Sequence, residues 1–382
     1  MNILHVYKNY DPVVGGIENH IKWLAESQAA AGHRVTVLVT HPALRTHEET
    51  LNGVRVLRAG RLAAPASTPL SVSLPWLLAR ERPDITHLHF PYPLGEVAQY
   101  LCGRDRRCVL TYHSDVVRQK MLLRLYRPLM GRVLRSVDRI LVTSPNYLES
   151  SATLRLFRDK CVVAPFGIDQ RRFQQPDARG VRALRARYGQ GPLLLFVGVL
   201  RYYKGLNYML EAMANIPARL LVVGDGPMGE PWREQARVLG LGDKVVFTGR
   251  VPDEELPAYY QAADLFVLPS GERSEAYGLV QVEALSAGLP IVCTELGTGT
   301  SYVNRHGESG LVVSPKDPRA LAGAVNVLLE DENLRRQLAR GARERATLFT
   351  LERMVQAVEQ VYAEVCGAAR VVCELTEDRE RV

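Results

Sequence analysis

Glu275 and Glu283 stand eight residues apart in SEAYGLVQVEALSAGLPIV, residues 274–292, one before and one inside a segment that is otherwise small and apolar. Were both on one helix, that spacing would part them by about 12 Å along the axis and about 80° around it. Such a pair is badly placed for shared acid–base work on one bond. It suits a grip on two parts of a longer polyhydroxylated ligand, because carboxylates accept hydrogen bonds from sugar and ribose hydroxyls. Gly278 falls where a helix would begin, so the free N–H groups of Gly278, Leu279 and Val280 offer an anion site between the two acids. The segment fits a sugar nucleotide, with one glutamate toward each end and the phosphates at the helix mouth. The plainer alternative is a solvated helix start followed by a surface carboxylate.

Cations that could meet those phosphates lie in LLLFVGVLRYYKGLNYMLEA, residues 193–212. Gly198 ends a strand pattern, and Arg201 and Lys204 follow in the connection, arginine as a directed fork and lysine as a compact charge. The alternative is two surface cations snorkelling around Tyr202 and Tyr203. Gly15 and Gly16 also follow a strand pattern and precede a helix, where absent side chains allow a tight turn and close approach of phosphate to backbone N–H groups. This is not G-x-G-x-x-G, and an ordinary strand-to-helix turn would look the same. VVGDGP, residues 222–227, reads as another tight β–α connection.

These turns need strands and helices to hold them. Short β-branched runs alternate with longer amphipathic ones, which predicts α/β units. In the first half the strand candidates are NILHVY, RVTVLVT, VRVL, ITHLH, CVLTYH, RILVTS and KCVVAP, with a first helix over 18–31. A second series runs LLLFVGVL, ARLLVVGDG, KVVFTGR, DLFVLPS, PIVCTE and SGLVVSP, with helices over 208–214, 229–239, 253–262 and 279–287. The polar stretch PFGIDQRRFQQPDARG, residues 165–180, suits a boundary. Domains are expected over 1–170 and 171–348, with 349–382 a helix and tail. Two α/β lobes would face each other across a cleft lined by strand C-termini. From Leu321 the pattern is nearly all helical, ending in the charged ELTEDRERV.

Composition is that of a globular enzyme, 47% apolar and 23% charged. The N-terminus reads as a strand rather than a leader, and no run approaches the length of a spanning helix. Six cysteines without C-x2-C spacing predict reduced, structural thiols and a cytoplasmic setting. Charge is uneven: residues 1–180 carry 25 Lys and Arg against 15 Asp and Glu, the remainder 23 against 26. Seven basic residues and one acid fall within 117–139, interleaved with leucine, methionine and valine. Pro128 and Gly131 are expected to break this stretch into two helical pieces. It reads either as a solvated face or as a contact for an anionic membrane surface. No zinc-finger, RNP-like or homeodomain pattern accompanies it, which argues against nucleic acid.

The motifs together resemble retaining glycosyltransferases of family 4 (GT4), of GT-B architecture. The resemblance runs through GGIENHI, PFGID, FVGVLRYYKG, VVGDGP, VVFTGRVPDEELPAYYQAADLFVLPS, the Glu-x7-Glu of EAYGLVQVE and GTGTSYVNRHGESGLVV, nearly the whole chain. It implies α/β class, two facing Rossmann-like domains, and a C-terminal helix crossing back to the first. It also implies a nucleotide-sugar donor held by the second lobe. Glu275 would contact the donor sugar and Glu283 the ribose, while Arg201 and Lys204 would stabilise the leaving diphosphate. Amides from Ala276, Tyr277, Gly278, Leu279 and Val280 would orient sugar and phosphates. Arg250 and Val251 would lie by the base, and Gly15 and Gly16 by the phosphates on lobe closure. Many relatives carry arginine directly after the strand-end glycine; here Val199 stands there, which weakens the assignment of Arg201 relative to Lys204. His113 in TYHSD matches a histidine near the donor sugar in the family, and is expected to orient the sugar or an acceptor hydroxyl. The alternative is a histidine capping a strand-end turn. Asp115 would help order that loop.

The family transfers by front-face departure of a diphosphate and normally uses no metal, so no cofactor or metal is expected. His87 and His89 share a strand face, yet no third ligand accompanies them in sequence, nor does His20 belong to a ligand cluster. The resemblance implies a glycan or lipid-linked glycan acceptor, with peripheral attachment to the inner membrane face through residues 117–139. The favoured donor is a GDP-linked hexose such as GDP-mannose. UDP-linked glucosyl, galactosyl or N-acetylglucosaminyl transfer, sucrose-type or other soluble acceptors, a GT-B epimerase, and a noncatalytic binding protein stay as alternatives.

Overall fold

A computed structural model describes residues 1–13, 15–64, 69–115, 120–175 and 177–367, with side chains of residues 120–123 excepted. The segment 117–119, Cys373 and the charged tail singled out in the sequence lie outside the described residues.

The first sheet contains β1 (Asn2–Val6), β2 (Arg34–His41), β3 (His47–Leu51), β4 (Val54–Gly60), β5 (Ile85–Phe90), β6 (Cys108–Tyr112), β7 (Arg139–Val142) and β8 (Cys161–Val163). The second contains β9 (Leu193–Val197), β10 (Arg219–Val223), β11 (Val245–Gly249), β12 (Leu265–Leu268), β13 (Ile291–Thr294) and β14 (Gly310–Val313). Central strands such as CVLTY and LLLFV are buried at every position. Their side chains point alternately to both faces, so helices must cover both faces of the sheet.

Strand order is β3-β4-β2-β1-β5-β6-β7-β8 in the first sheet and β11-β10-β9-β12-β13-β14 in the second. The second is parallel throughout; the first is parallel except for β3, antiparallel to β4. Each sheet reverses winding beside its first strand, between β1 and β5 and between β9 and β12, where an open α/β sheet leaves a crevice at the strand C-termini. This is the GT-B architecture expected from the motifs.

Two chain crossings tie the lobes. Ile168 bridges Thr350 in parallel, with Ile168 N–H donating to Phe349 O and Leu351 N–H to Ile168 O. Gly167 lies so close to this second crossing that a Cβ there would stand 2.0 Å from Thr350 O, leaving no room for a side chain. The helix Leu351–Cys366 then returns to the first lobe, packs on the helix Gly16–Ala30, and buries Tyr362 against His87. One apolar cluster runs from the first sheet through Phe166, Tyr277 and Phe349 to one face of the second sheet, whose other face has its own cluster.

Two expectations need correction. The polar strand β3, HEETL, has no apolar run to mark it; it pairs along the sheet edge through its backbone. The basic stretch forms one helix, Lys120–Ser136, with Pro128 inside, rather than two pieces. Met130, Val133 and Leu134 are buried on one side of it and Tyr126 donates a hydrogen bond to Glu96, so tertiary contacts on both sides of Pro128 hold the helix together.

Candidate active site

The turn after β9 carries the cations. Gly198 adopts φ 152° and the Lys204 side chain runs over it, 3.5 Å from where a Cβ would stand. Gly205 ends the turn at φ 65°, and a Cβ there would meet Pro269 O at 2.1 Å. The residue after Lys204 is thus glycine because the turn is pressed against the end of β12. Gly271 N–H donates to Tyr203 O at 2.9 Å and joins this turn to the loop that holds Glu275.

That junction places Lys204 Nζ 2.6 Å from Glu275 Oε2, with the residues only 8% and 7% exposed. Ser270 Oγ donates to the same carboxylate oxygen at 3.3 Å. Burial alone would lower the Lys204 pKa; Glu275, helped by Tyr203, outweighs it and the net shift is upward. Arg201, three residues earlier, is exposed and faces the first lobe, where its charge is felt by Tyr7 and Lys8. Lys204 is therefore the ordered cation of the pair.

Past Glu275, Ala276, Tyr277 and Gly278 are buried and the helix Leu279–Ser286 begins after Gly278 at φ 76°. Among the described residues, the N–H groups of Ala276, Tyr277, Gly278, Leu279 and Val280 have no acceptor. Five consecutive amides at a helix start can receive an anion. Glu283, one turn into the helix, accepts from Tyr260 Oη at 2.6 Å. Burial pushes its pKa up, with Tyr260 and Arg172 opposing. The two glutamates have separate partners, Lys204 and Tyr260, and no shared one. Arg250 is exposed just beyond β11, and Val251 is partly buried against the core.

On the facing lobe, Gly15 is extended at the start of the helix Gly16–Ala30, and Glu18 folds over it: an added Cβ would meet Glu18 Oε2 at 2.3 Å. A Cβ on Gly16 would meet nothing within 4 Å. His113 is buried beside Phe166, with ring centroids 5.3 Å apart, and beside Tyr7. Burial first, then His20 and Lys8, hold its pKa well below the usual histidine value, so it is neutral.

Contacts across the cleft went unread in the sequence. Arg273 Nη2 donates to Asp115 Oδ2 at 3.3 Å, joining the loop of His113 to the loop of Glu275. Tyr277 Oη donates to Phe166 O at 2.9 Å and Asn146 Nδ2 to Ser301 Oγ at 3.1 Å. The pair Asp115–Arg273 had one sequence signal, since each residue lies two positions from a candidate site residue. The expectation that His87 and His89 have no third partner and that His20 belongs to no cluster needs correction: His5, His87 and His89 form one group and His20, His89 and His113 another, each with nitrogens within 4.8 Å. They come from different strands and a helix, so no linear spacing marks them.

The whole offers a buried lysine–carboxylate pair, a row of free amides, and a second carboxylate one helical turn on. Residues 182–345 match the family described as glycosyl transferases group 1, and residues 14–172 match glycosyltransferase family 4. The chain is 40% identical to the D-rhamnosyltransferase WbpZ of Pseudomonas aeruginosa over 92% of each chain. It is 38% identical to the O-antigen chain mannosyltransferase C of Escherichia coli, over 95% of this chain and 98% of that one. Among solved structures it resembles sucrose-phosphate synthase from Thermosynechococcus elongatus, with a TM-score of 0.80 at 24% identity over 96% of this chain and 100% of that one. It also resembles Anabaena HepE in complex with UDP-glucose, with a TM-score of 0.78 at 19% identity over 95% and 100%.

Proposed function

The chain belongs to the group 1 and family 4 glycosyltransferases, moving a hexose from a nucleotide sugar to a glycan or lipid acceptor, and we propose that the hexose is manno-configured and transferred with retention. Two relatives support the sugar: one carries mannose in its name and the other D-rhamnose, which is mannose lacking the 6-hydroxyl. The proposed donor is GDP-linked. UDP-linked hexoses are the second reading, favoured by the UDP-glucose held by HepE.

The observation that carries the site assignment is the buried Lys204–Glu275 pair beside five free amides at the switch point of the second sheet. As the bond from sugar C1 to the phosphate oxygen breaks, its electrons pass to the diphosphate. Lys204, Arg201 and the amides of residues 276–280 stabilise that growing charge, an interaction stronger in the transition state than before it. The acceptor oxygen bonds to C1 on the face the diphosphate leaves, and its proton passes to the departing phosphate oxygen. Glu275 holds sugar hydroxyls and Glu283 the ribose, both as hydrogen-bond acceptors. Gly16 leaves space for the phosphates when the lobes close, and Arg250 and Val251 lie toward the base.

The experiment is a panel of GDP- and UDP-linked hexoses, each with and without glycan or lipid-linked acceptors, followed by NMR of the product anomer. Acceptor-dependent transfer from GDP-mannose or its 6-deoxy analogue, with an α-linked product from an α-linked donor, supports the reading. Transfer confined to UDP-sugars, or inversion, overturns the corresponding part. Sugar interconversion without acceptor would point to an epimerase instead.

A further inference from the structure

Beneath the first lobe's wall of the cleft, a chain of side chains leads inward from His113. Gln28 Oε1 lies 2.8 Å from His5 Nε2, His5 Nδ1 lies 3.1 Å from His89 Nε2, and His89 Nδ1 lies 3.0 Å from His113 Nε2. All four residues are at most 3% exposed, and His113 Nδ1 at the outer end has no partner among the described residues. Burial drives all three imidazoles toward the neutral form, His5 down to about 4.

A neutral imidazole has one N–H and one lone pair, so such a chain has a direction. The Gln28 oxygen has no proton to give; His5 must therefore carry its proton on Nε2 and accept on Nδ1. His89 then carries Nε2–H and accepts on Nδ1, and His113 carries Nε2–H. Its Nδ1 ends as a bare lone pair. The Gln28 amide nitrogen, at the far side of the same group, has no hydrogen-bond partner among the described residues, and Gln28 acts to lower the pKa of Tyr362 on the returning helix. Tyr362 Oη in turn lies 2.5 Å from His87 Nδ1, and His87 Nε2 lies 2.6 Å from Thr111 Oγ1.

We propose that Gln28, acting through His5 and His89, is a positioning residue that holds His113 in its Nε2–H form, so that Nδ1 accepts a hydrogen bond from a hydroxyl of the bound sugar or acceptor. The proposal rests on the glycosyltransferase reading and extends it from one histidine to the three residues behind it. A buried acceptor without a donor is a standing deficit that a ligand O–H removes. His113 is placed for this, beside Tyr7 and Lys8, the two residues that sense Arg201 from the opposite lobe. A metal ion is the competing use of these nitrogens. Against it, the contacts at 3.0 and 3.1 Å already occupy them, Lys8 sets a positive charge beside His113, and neither histidine group contains a carboxylate.

The test is NMR of the full chain with 13C,15N-labelled histidine, the His113 resonances assigned with His113→Asn. A pyridine-type Nδ1 and a pyrrole-type Nε2 are expected. Gln28→Met removes the acceptor at nearly constant volume; the His113 tautomers should then redistribute, and kcat should fall about tenfold with donor KM moving less than about twofold. Gln28→Glu, which still accepts, should restore the wild-type signature and most of the lost rate. A protonated Nδ1 in the wild type overturns the proposal, as does an unchanged His113 signature or unchanged kcat in Gln28→Met, or a stoichiometric transition metal in the purified protein. If Gln28→Met does not fold, the wild-type and Gln28→Glu spectra decide. The spectra need no turnover, so failure to transfer any sugar would count against the function and not against the tautomer chain.

Discussion

Glu283 and Lys204 show opposite ways of keeping a charge in a covered site. Burial raises the Glu283 pKa above its ordinary 4.5, so the folded protein holds a proton more tightly than the unfolded chain does. Stability contributed by that proton is present at low pH and is lost as pH rises through the folded value; above it, the ionised carboxylate is a net cost. Glu283→Gln keeps an acceptor for Tyr260 and removes the charge. It should raise Tm at pH 8 by about 1–3 °C while weakening donor binding, as read by thermal unfolding and donor KM. Lys204 has a raised pKa, so its contribution is complete below the ordinary value of 10.5 and is lost only as pH rises through the higher folded value. Both glutamates and Lys204 were legible in the sequence because the Glu-x7-Glu spacing and the glycine-bounded turn are local. Their partners were less so: Ser270 is five residues from Glu275, but Tyr260 and Asp115 reach their partners through the fold.

At the level of elements, β1, β5, the end of β6 and the helix Gly16–Ala30 bring His5, His20, His87, His89 and His113 together, each at most 3% exposed. Burial lowers the pKa of all five, His5 to about 4 and His20 to about 3. Below the ordinary value of 6.5 the unfolded chain binds protons that the folded lobe refuses, so stability falls with falling pH by up to about 1.4 kcal/mol per pH unit for each histidine. Calorimetry should show the first lobe's transition dropping steeply between pH 7 and 5, and a midpoint flat over that range would contradict neutral burial. Thirteen of the strands now seen were readable as apolar runs flanked by turn residues, as were the helices Gly229–Val238 and Leu279–Ser286. Strand β3 was not, since an edge strand of alternating polar residues leaves no hydrophobic trace. Pro128 misled for the complementary reason: the local penalty was visible, whereas the packing of Met130, Val133 and Leu134 that overrides it was not.

For the molecule as a whole, charge and exposure give the first lobe a sidedness. On the helix Lys120–Ser136, Arg124, Arg127, Arg132 and Arg135 are exposed together with Leu125, which is 82% exposed. That helix packs on Pro93–Cys102, which packs on Ser73–Arg80, and these expose Leu101 and Trp76. No helix among the described residues is long and apolar enough to cross a membrane. We propose that this face lies on an anionic bilayer and brings the cleft to a lipid-linked acceptor. Replacing the four arginines with glutamine should cut binding to anionic vesicles by about tenfold or more at low salt, as measured by sedimentation. Binding that is indifferent to salt and to these substitutions would oppose that orientation.

The proposed function puts Lys204, Glu275 and the amides of residues 276–280, all carried by the second lobe, around a departing diphosphate. The most direct test is acceptor-dependent release of nucleoside diphosphate by the wild type and by Lys204→Ala, compared at matched folding. A fall in kcat/KM of about 10²–10³ is expected for the variant. Equal kcat/KM in the two proteins would contradict the placement of the leaving group at Lys204.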